Sequence, residues 1–282
     1  QAYRTVSALN LVLGGTNNQF EVECADCAVC LCTIKGKILR ESEGYYNPLA
    51  PGDRVEIQVD DHDAGRGQII SLLPRTNHFV RWNQKGNAPQ LLAANLDLIV
   101  VVTTPAEPPF RPRFVDRALI QADAEHITPL VLVNKWDLGS EPDTDERLAD
   151  WERLGYEILR VSAKTGEGMD QLAARLSGRV SAFVGQSGVG KSSLLNALDE
   201  RLTLRTGGLS EKYGRGTHTT TKGMLFHLPP DFDGKVASLI DTPGVRRFIL
   251  SDIPAKDLAL YFREMEPLVG TCSWGLSCSH EH

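Results

Sequence analysis

A glycine-rich loop directly after an apolar segment is the strongest constraint on the fold of this chain. Residues 180–184 form the apolar segment VSAFV, and residues 185–192, GQSGVGKS, fit the pattern GxxxxGK[ST] ahead of a helix-compatible run at 193–198. A loop between a buried strand and a helix directs backbone amides and the positive end of the helix dipole at phosphate groups. The pattern therefore predicts a phosphate-binding loop in a parallel α/β sheet, with a glycine-rich turn that binds nothing as the alternative.

This loop and a second motif have separate expected roles at the phosphates. We expect Lys191 to act in catalysis by neutralising charge on the β- and γ-phosphates, and the Ser192 hydroxyl to ligate Mg²⁺. Asp241 follows the apolar residues 236–240, where we expect it to hold Mg²⁺ through water while the amide of Gly244 meets the γ-phosphate. Taken alone, this second motif is usually an ordinary turn. The loop residues expected to contact the nucleotide are Gly185, Gln186, Ser187, Gly188, Val189, Gly190, Lys191, Ser192 and Ser193.

The identity of the base is expected to depend on a polar tetrapeptide, Asn134-Lys135-Trp136-Asp137. The Asp137 carboxylate can accept two hydrogen bonds from guanine that adenine cannot supply, so the motif favours GTP over ATP. We expect Asn134 to brace the loop and Lys135 to lie over the base. A polar loop after a strand is the alternative. A backbone amide for the guanine O6 is expected from Ser162, Ala163 and Lys164.

Around these motifs, short apolar runs alternate with helical segments. The apolar runs lie at 96–103, 129–133, 157–161, 180–184 and 236–240, and helical patterns lie at Phe114 to Glu125 and Asp143 to Leu154. Such runs are typical of parallel strands covered on both faces. The base motifs precede the phosphate motifs along the chain, which predicts a circularly permuted α/β domain at about residues 75–250, because neighbours in a sheet need not be neighbours in sequence.

The first quarter of the chain has a different pattern. From Phe20 to Leu73, short alternating segments are separated by turn signals at 25–26, 36, 47–48 and 51–53. This pattern predicts a small all-β barrel of five or so strands, of the OB type, within residues 1–74. Residues 251–282 remain as a C-terminal helical and zinc-binding segment.

Together these features resemble one family. The chain resembles the RsgA (YjeQ) family in the order of its motifs, in the barrel before them and in the Cys/His cluster after them. The matching segments are residues 185–193, GTHTTT at 216–221 and DTPGVR at 241–246. The resemblance extends over nearly the whole chain. It implies a circularly permuted GTPase that is stimulated by the small (30S) ribosomal subunit, an OB-fold domain that contacts 16S ribosomal RNA, and a role in late maturation of that subunit.

The sequence lacks the glutamine that many GTPases use to orient the attacking water. Val245 follows the second phosphate motif at a position where many GTPases carry a water-orienting glutamine, and valine cannot hydrogen-bond. By resemblance we expect His218 to act on the water, with a solvated loop histidine as the alternative. Thr220 is expected to complete the Mg²⁺ shell, with Thr219 as the rival.

Three soft ligands near the end of the sequence predict a zinc site. Cys272, Cys278 and His280 have metal-ligand spacing, and tetrahedral Zn²⁺ needs a fourth ligand. By resemblance we expect that ligand to be a cysteine beyond residue 282, with His282 as a weak substitute. Free thiols are the alternative.

The other cysteines lie close together near the start of the sequence. Cys24, Cys27, Cys30 and Cys32 superficially resemble a metal knuckle, but Cys30 and Cys32 would face the same side of a strand. We therefore expect them to pack inside the barrel as small apolar residues.

Composition adds limits on compartment and partners. The formal net charge of −6 over 282 residues argues against indiscriminate coating of nucleic acid, and the chain contains neither an apolar run long enough to cross a membrane nor a signal peptide at residues 1–10. We expect a cytoplasmic monomer that binds GTP and GDP. Candidate RNA contacts are Lys35, Lys37 and Arg40, and a mixed segment that could instead pack between domains comprises Arg75, His78, Phe79, Arg81 and Trp82.

Three function classes fit these observations to different degrees. The first is an RNA-associated enzyme that hydrolyses GTP. The second is a nucleotide-gated binding module in which hydrolysis only resets attachment to a particle. The third, an ATP-dependent kinase or transporter motor, is disfavoured by Asp137.

Overall fold

The computed structural model describes residues 3–16, 18–36, 44–63, 65–202, 204, 223–231, 233–245 and 247–271, with side chains from residue 10 onward. Within these ranges the helices are α1 (Pro112–Ala124), α2 (Pro142–Arg153), α3 (Met169–Leu176) and α4 (Lys191–Leu198). The strands are β1 (Tyr3–Thr16), β2 (Gln19–Glu23), β3 (Val29–Ile34), β4 (Arg54–Asp60), β5 (Arg66–Leu72), β6 (His78–Asn83), β7 (Ala88–Ala94), β8 (Leu98–Thr103), β9 (Thr128–Val133), β10 (Glu157–Arg160), β11 (Val180–Gly185), β12 (Met224–His227) and β13 (Ser238–Asp241).

The predicted barrel is present and consists of β1 to β5. The long strand β1 pairs with β2 and with β4, and the pairs β2–β3, β3–β5 and β5–β4 close the ring. Its interior contains Val12, Val22, Ile57 and Ile69, all fully buried. Each such side chain contributes roughly 1.5–3 kcal/mol of transfer free energy when it leaves water.

The cysteines of β3 pack as the sequence predicted. Cys30 and Cys32 are buried in the barrel core, on the same face of the strand. The prediction placed the first strand at Phe20, so β1 is an addition to it.

The second part of the molecule is the predicted doubly wound domain. Strands β10, β9, β8, β11 and β13 lie side by side in that order and are parallel. Every residue of β8 is buried, with Ile99 and Val101 on the α1 and α2 side and Val100 and Val102 on the α3 and α4 side. Burial on both faces explains why the strands read as continuous apolar runs.

The barrel and the α/β domain share one sheet. Strand β12 pairs antiparallel with β13 and then with β1, where Gly14 lies opposite Met224. A side-chain carbon on Gly14 would lie 2.7 Å from the carbonyl oxygen of Gly223, so glycine is required for this close approach. The junction therefore connects the barrel, through β12, to β13, the strand that carries Asp241.

A hairpin of β6 and β7 packs beside this junction. Phe79 is fully buried against Phe248, with ring centroids 5.4 Å apart, and Arg75 forms a bidentate ion pair with Asp53 of the barrel at 2.6 and 2.9 Å. For these two residues, packing between domains is the interpretation that the structure supports.

The last described residues form short 3₁₀ turns at Ala255–Tyr261 and Glu266–Leu268. Arg263 connects this segment to the α/β domain. Its guanidinium donates two hydrogen bonds to Asp123 at 2.9 and 3.0 Å, and its central carbon lies 3.7 Å from the ring centre of Tyr156. In the part of the chain that the structure describes, no helix is long and apolar enough to cross a membrane.

Candidate nucleotide-binding site

The glycine-rich loop joins β11 to α4, as the sequence predicted. Helix α4 begins at Lys191, and Gly188 and Gly190 have φ angles of 86° and 94°, in the left-handed region that favours glycine. A side-chain carbon on Gly190 would lie 2.4 Å from the side-chain nitrogen, Nδ2, of Asn134. The loop is therefore turned inward and packed against the neighbouring base motif.

Asn134 and Lys135 connect the base motif to the phosphate loop. The Asn134 side chain is 1% exposed, donates from Nδ2 to the carbonyl oxygen of Val189 at 2.9 Å, and accepts from the amide of Ala163 at 3.2 Å. Lys135 Nζ donates to the carbonyl oxygen of Gly188 at 2.9 Å. Because β8, β9 and β11 are parallel neighbours, these loops all follow the carboxyl ends of strands and meet at one edge of the sheet.

The Asp137 carboxylate is held in place by the second base motif. Ser162 Oγ donates to Asp137 Oδ1 at 2.7 Å, and Lys164 Nζ lies 4.0 Å from Oδ2. The amide of Trp136 donates to the carbonyl oxygen of Val161 at 3.0 Å. One carboxylate oxygen is thus oriented by a hydroxyl, while exposed Lys164 lies near the other.

The motif that begins at Asp241 packs directly on the phosphate loop. Asp241 is 2% exposed at the end of β13, and Thr242 Oγ1 donates to the carbonyl oxygen of Phe183 in β11 at 2.7 Å. A side-chain carbon on Gly244 would lie 3.1 Å from Cα of Ser187 and 3.4 Å from Nζ of Lys191. A residue larger than glycine would therefore fit only if the loop moved by a few tenths of an ångström.

Lys191 is a buried cation at the centre of this arrangement. Its side chain donates to the carbonyl oxygens of Gly185 at 3.1 Å and Gln186 at 3.4 Å. Burial lowers the pKa of Lys191, and the negative charge of Asp241 opposes that shift. A desolvated ammonium beside a carboxylate at a glycine-rich loop provides strong local charge for an anionic ligand.

One contributor to the site was not singled out from the sequence. The carbonyl oxygen of Glu107, in the proline-rich segment after β8, accepts a hydrogen bond from Lys135 Nζ at 2.8 Å. Pro108 lies beside Gly188, within 3.9 Å of where its side-chain carbon would be. The only sequence signal for this contact was the cluster of prolines at 105–112.

Several predicted site residues lie outside the described residues. These are Lys37, Arg40, His218, Thr219, Thr220, Cys272, Cys278, His280 and His282. Among the described residues, no group of three or more His, Cys, Asp or Glu side chains is arranged to hold a metal ion.

The cysteines near the start of the sequence belong to the barrel. Cys24 Sγ donates to Cys30 Sγ at 3.4 Å, and burial raises the pKa of Cys24 and of Cys32 to about 12. Packing inside the barrel is therefore confirmed for Cys30 and Cys32, and Cys24 packs partly against them, whereas Cys27 is exposed.

Comparison with known proteins gives consistent matches. The sequence model of the RsgA GTPase family matches residues 72–251. A protein of Pseudomonas fluorescens (strain Pf0-1) named small ribosomal subunit biogenesis GTPase RsgA is 40% identical over 275 residues, which cover 96% of this chain and 76% of that protein.

Two crystal structures have a similar fold. YjeQ from Thermotoga maritima is 30% identical with a TM-score of 0.64, over 93% of this chain and 82% of that one. YloQ, described as a circularly permuted GTPase, has a TM-score of 0.61 over 100% of this chain and 86% of that one. At 23% identity, the second likeness concerns the fold alone.

Proposed function

Because the chain belongs to the RsgA GTPase family, we propose that it binds the small ribosomal subunit and hydrolyses GTP to GDP and phosphate during late maturation of that subunit. Its fold is that of the circularly permuted GTPases. The observation that carries the proposal is the 2.9 Å hydrogen bond from Asn134 to Val189, which joins the two motifs expected to hold the base and the phosphates of one nucleotide.

Guanine recognition is assigned to Asp137. The Ser162 hydroxyl orients one carboxylate oxygen, which leaves the carboxylate free to accept from the N1 and exocyclic amine of guanine. Adenine presents an unprotonated N1 there, so it would leave the carboxylate without a donor. The segment Ser162, Ala163 and Lys164 is assigned to supply a backbone amide for guanine O6. The amides of Ser162 and Ala163 donate to Glu167 and Asn134, so Lys164 is the donor of choice.

Phosphate binding is assigned to the loop from Gly185 to Ser193. The backbone amides of the loop and the N-terminus of α4 face the phosphates, and Lys191 neutralises charge that develops on them. The oxygen donors Ser192 and Asp241 fit a Mg²⁺ ion, which prefers oxygen ligands and would neutralise phosphate charge when bound. Thr220 is the further candidate ligand, and the Gly244 amide is the candidate contact to the γ-phosphate.

Water activation is assigned to His218. The buried Val245, whose amide donates to Gly185 at 3.3 Å, cannot orient water, so the basal rate is expected to be slow. His218→Ala should leave basal turnover nearly unchanged and reduce subunit-stimulated turnover by about 100-fold or more. An unchanged stimulated rate in single-turnover kinetics would exclude the role.

The remaining parts of the chain are assigned by family membership. We propose that an OB-type barrel within residues 1–74 contacts 16S ribosomal RNA and that residues 75–250 form the GTPase domain. We further propose that residues 251–282 bind one structural Zn²⁺ through Cys272, Cys278 and His280. The protein as a whole is proposed to be a cytoplasmic monomer. Zinc analysis of the purified protein tests the metal site. A Cys272→Ser/Cys278→Ser variant that retains one zinc per chain would contradict it.

The decisive experiment is the GTPase rate with and without purified small ribosomal subunits. We expect slow basal hydrolysis that rises at least about 10-fold on addition of small subunits, because ordering of the catalytic loop by a partner is a common route to GTPase activation. Large ribosomal subunits at equal concentration are the control. No stimulation, or equal stimulation by both subunits, would contradict the proposed partner.

A further inference from the structure

A cavity lies beside the nucleotide site, on the side of helix α1. Its volume is about 330 Å³, at the lower end of the range for ligand pockets. Gln186 of the phosphate loop is part of its wall, and Phe110 and Phe114 line it. We name it the arginine pocket because four arginines surround it: Arg111, Arg113, Arg117 and Arg247.

The charge of the arginine pocket is uncompensated by the described residues. Its four arginines are exposed, no acidic residue lines it, and none of the four forms an ion pair with a described carboxylate. Eight other arginines of the described chain do form such pairs. In a chain with a net charge of −6, four cations collected in one place are most simply explained by an anionic ligand.

The position of these arginines on α1 is unfavourable for the helix itself. Arg111 is the N-terminal cap residue, it makes no side-chain capping hydrogen bond, and the first turn contains Arg113 but no acidic residue. The helix dipole places positive charge at this end, so acidic side chains stabilise it and cations destabilise it. Helix stability therefore does not account for the arrangement, whereas a bound anion would offset both sources of repulsion.

The chemistry of the pocket favours a polynucleotide over a small anion. Guanidinium groups bind phosphodiester oxygens in a bidentate manner and stack on bases. The half-buried Phe110 adds a ring at the rim, and aromatic faces beside basic groups are typical of sites for single-stranded nucleic acid. Only one of the four guanidinium groups has a described hydrogen bond, from Arg117 to the carbonyl oxygen of Phe248 at 3.3 Å.

We infer that the arginine pocket binds the phosphodiester backbone of single-stranded ribosomal RNA, as a contact separate from the barrel. The inference rests on the proposed function, which identifies ribosomal RNA as the polyanion that the protein meets. Arg247 lies three residues after Gly244, and Gln186 belongs to the phosphate loop. RNA held in this pocket would therefore lie directly beside the nucleotide site.

The test is binding of a fluorescein-labelled single-stranded RNA of twelve nucleotides, followed by anisotropy at several salt concentrations. For Arg111→Ala/Arg113→Ala we expect about a 10-fold loss of affinity and a decrease of about 1 to 1.5 in the slope of log K against log salt concentration. Arg153→Ala/Lys235→Ala removes two exposed cations elsewhere and is the matched control. The basal GTPase rate should be unchanged in both variants. The melting temperature should be unchanged in the control and unchanged or higher in the arginine variant, because cations are unfavourable at this end of α1, and a melting temperature that does not fall shows that the fold is intact.

The outcomes separate the pocket from the proposed function. An unchanged affinity and salt slope in the arginine variant, or equal losses in the control, would overturn the RNA site. If the variant lost binding of labelled poly-glutamate but not of RNA, the pocket would be a site for an acidic protein, and the inference would be wrong. If wild-type RNA binding depended on the arginines but small subunits did not stimulate hydrolysis, the RNA site would be supported and the proposed function contradicted.

Discussion

The Nδ2 atom of Asn134 donates to the carbonyl oxygen of Val189 at 2.9 Å, across 55 residues of sequence. The same side chain accepts from the amide of Ala163. One buried amide therefore connects the loop expected to hold phosphates with both segments expected to hold guanine. A nucleotide that binds at either end of this arrangement depends on the same side chain, which explains how a permuted chain can still form a single site.

Replacement of Asn134 by alanine should weaken the binding of GTP and GDP together. The loss of two hydrogen bonds leaves buried backbone groups unpaired at a cost of about 1–3 kcal/mol, or roughly 5- to 150-fold in affinity. Calorimetric titration with GDP measures this change. Asn77→Ala is a matched control, because the side-chain amide of Asn77 also makes two hydrogen bonds to the backbone, both to Leu96, but lies outside the site. A control that lost equal affinity would show that the effect of Asn134 is only on stability.

Replacement of Asp137 by asparagine should change the preferred base. The amide can donate to the keto group of xanthine at the position where guanine carries an amine, so we expect GTP affinity to fall at least about 100-fold and xanthosine triphosphate to bind better than GTP. Competition of both nucleotides and ATP against fluorescent GDP provides the measurement. Ser162→Ala removes the 2.7 Å bond to Asp137 and the 3.2 Å bond that the hydroxyl accepts from the amide of Thr165, and should cost about 1–3 kcal/mol without changing the preference. A retained preference for guanosine in Asp137→Asn would refute the assignment.

The parts of the fold that could be predicted are those with a local signal. Strands β8, β9 and β11 are buried on both faces and therefore appear as uninterrupted apolar runs. Strand β1 gave no such signal. Its Asn10 is fully buried and donates to the carbonyl oxygen of Val55, and its Gly14 is required by the close approach of β12. A polar residue and a glycine therefore interrupt the apolar pattern of β1, and both are explained only by contacts with other segments.

The same distinction holds for the candidate site. The positions of the glycines, Lys191 and Asp137 at one edge of the sheet could be predicted, because the proposed chemistry calls for those side chains or, for glycine, for the lack of one. The carbonyl oxygen of Glu107 could not, because every residue has a carbonyl group and the contact depends on how the segment after β8 folds back to Lys135. The arginines around α1 were likewise missed, since Arg247 joins the others only in the folded chain.

Replacement of Lys191 by methionine should stabilise the protein while it abolishes turnover. Burial lowers the folded-state pKa of Lys191, so the folded protein holds this proton less tightly than the unfolded chain does. The charged, buried Lys191 therefore lowers the free energy of unfolding. This effect is fully present below the folded-state pKa and disappears as pH rises towards the pKa of Lys191 in the unfolded chain. At neutral pH, Lys191→Met should therefore raise the melting temperature, and GTP turnover should fall at least about 100-fold.

Thermal unfolding without nucleotide, with the exposed Lys235→Met as control, measures the effect of Lys191 on stability. A lower melting temperature in Lys191→Met alone would show that the hydrogen bonds of the ammonium to Gly185 and Gln186 outweigh its desolvation.

Replacement of Glu125 by glutamine should flatten the pH dependence of stability. Burial, with repulsion from Asp252, raises the pKa of Glu125 from 4.5 to about 7. A raised folded-state pKa contributes stability that is fully present below the unfolded value and is lost as pH rises through about 7. Glu125→Gln should therefore gain melting temperature relative to wild type as pH increases from about 5 to 8, whereas Glu152→Gln, at an exposed ion pair, should not. The nearby His78 has the opposite effect on the pH dependence of stability. Burial and the charge of Arg75 lower the pKa of His78, so the stability that its neutral form contributes is lost as pH falls. A wild-type and Glu125→Gln difference that stays constant over this range would contradict the shift.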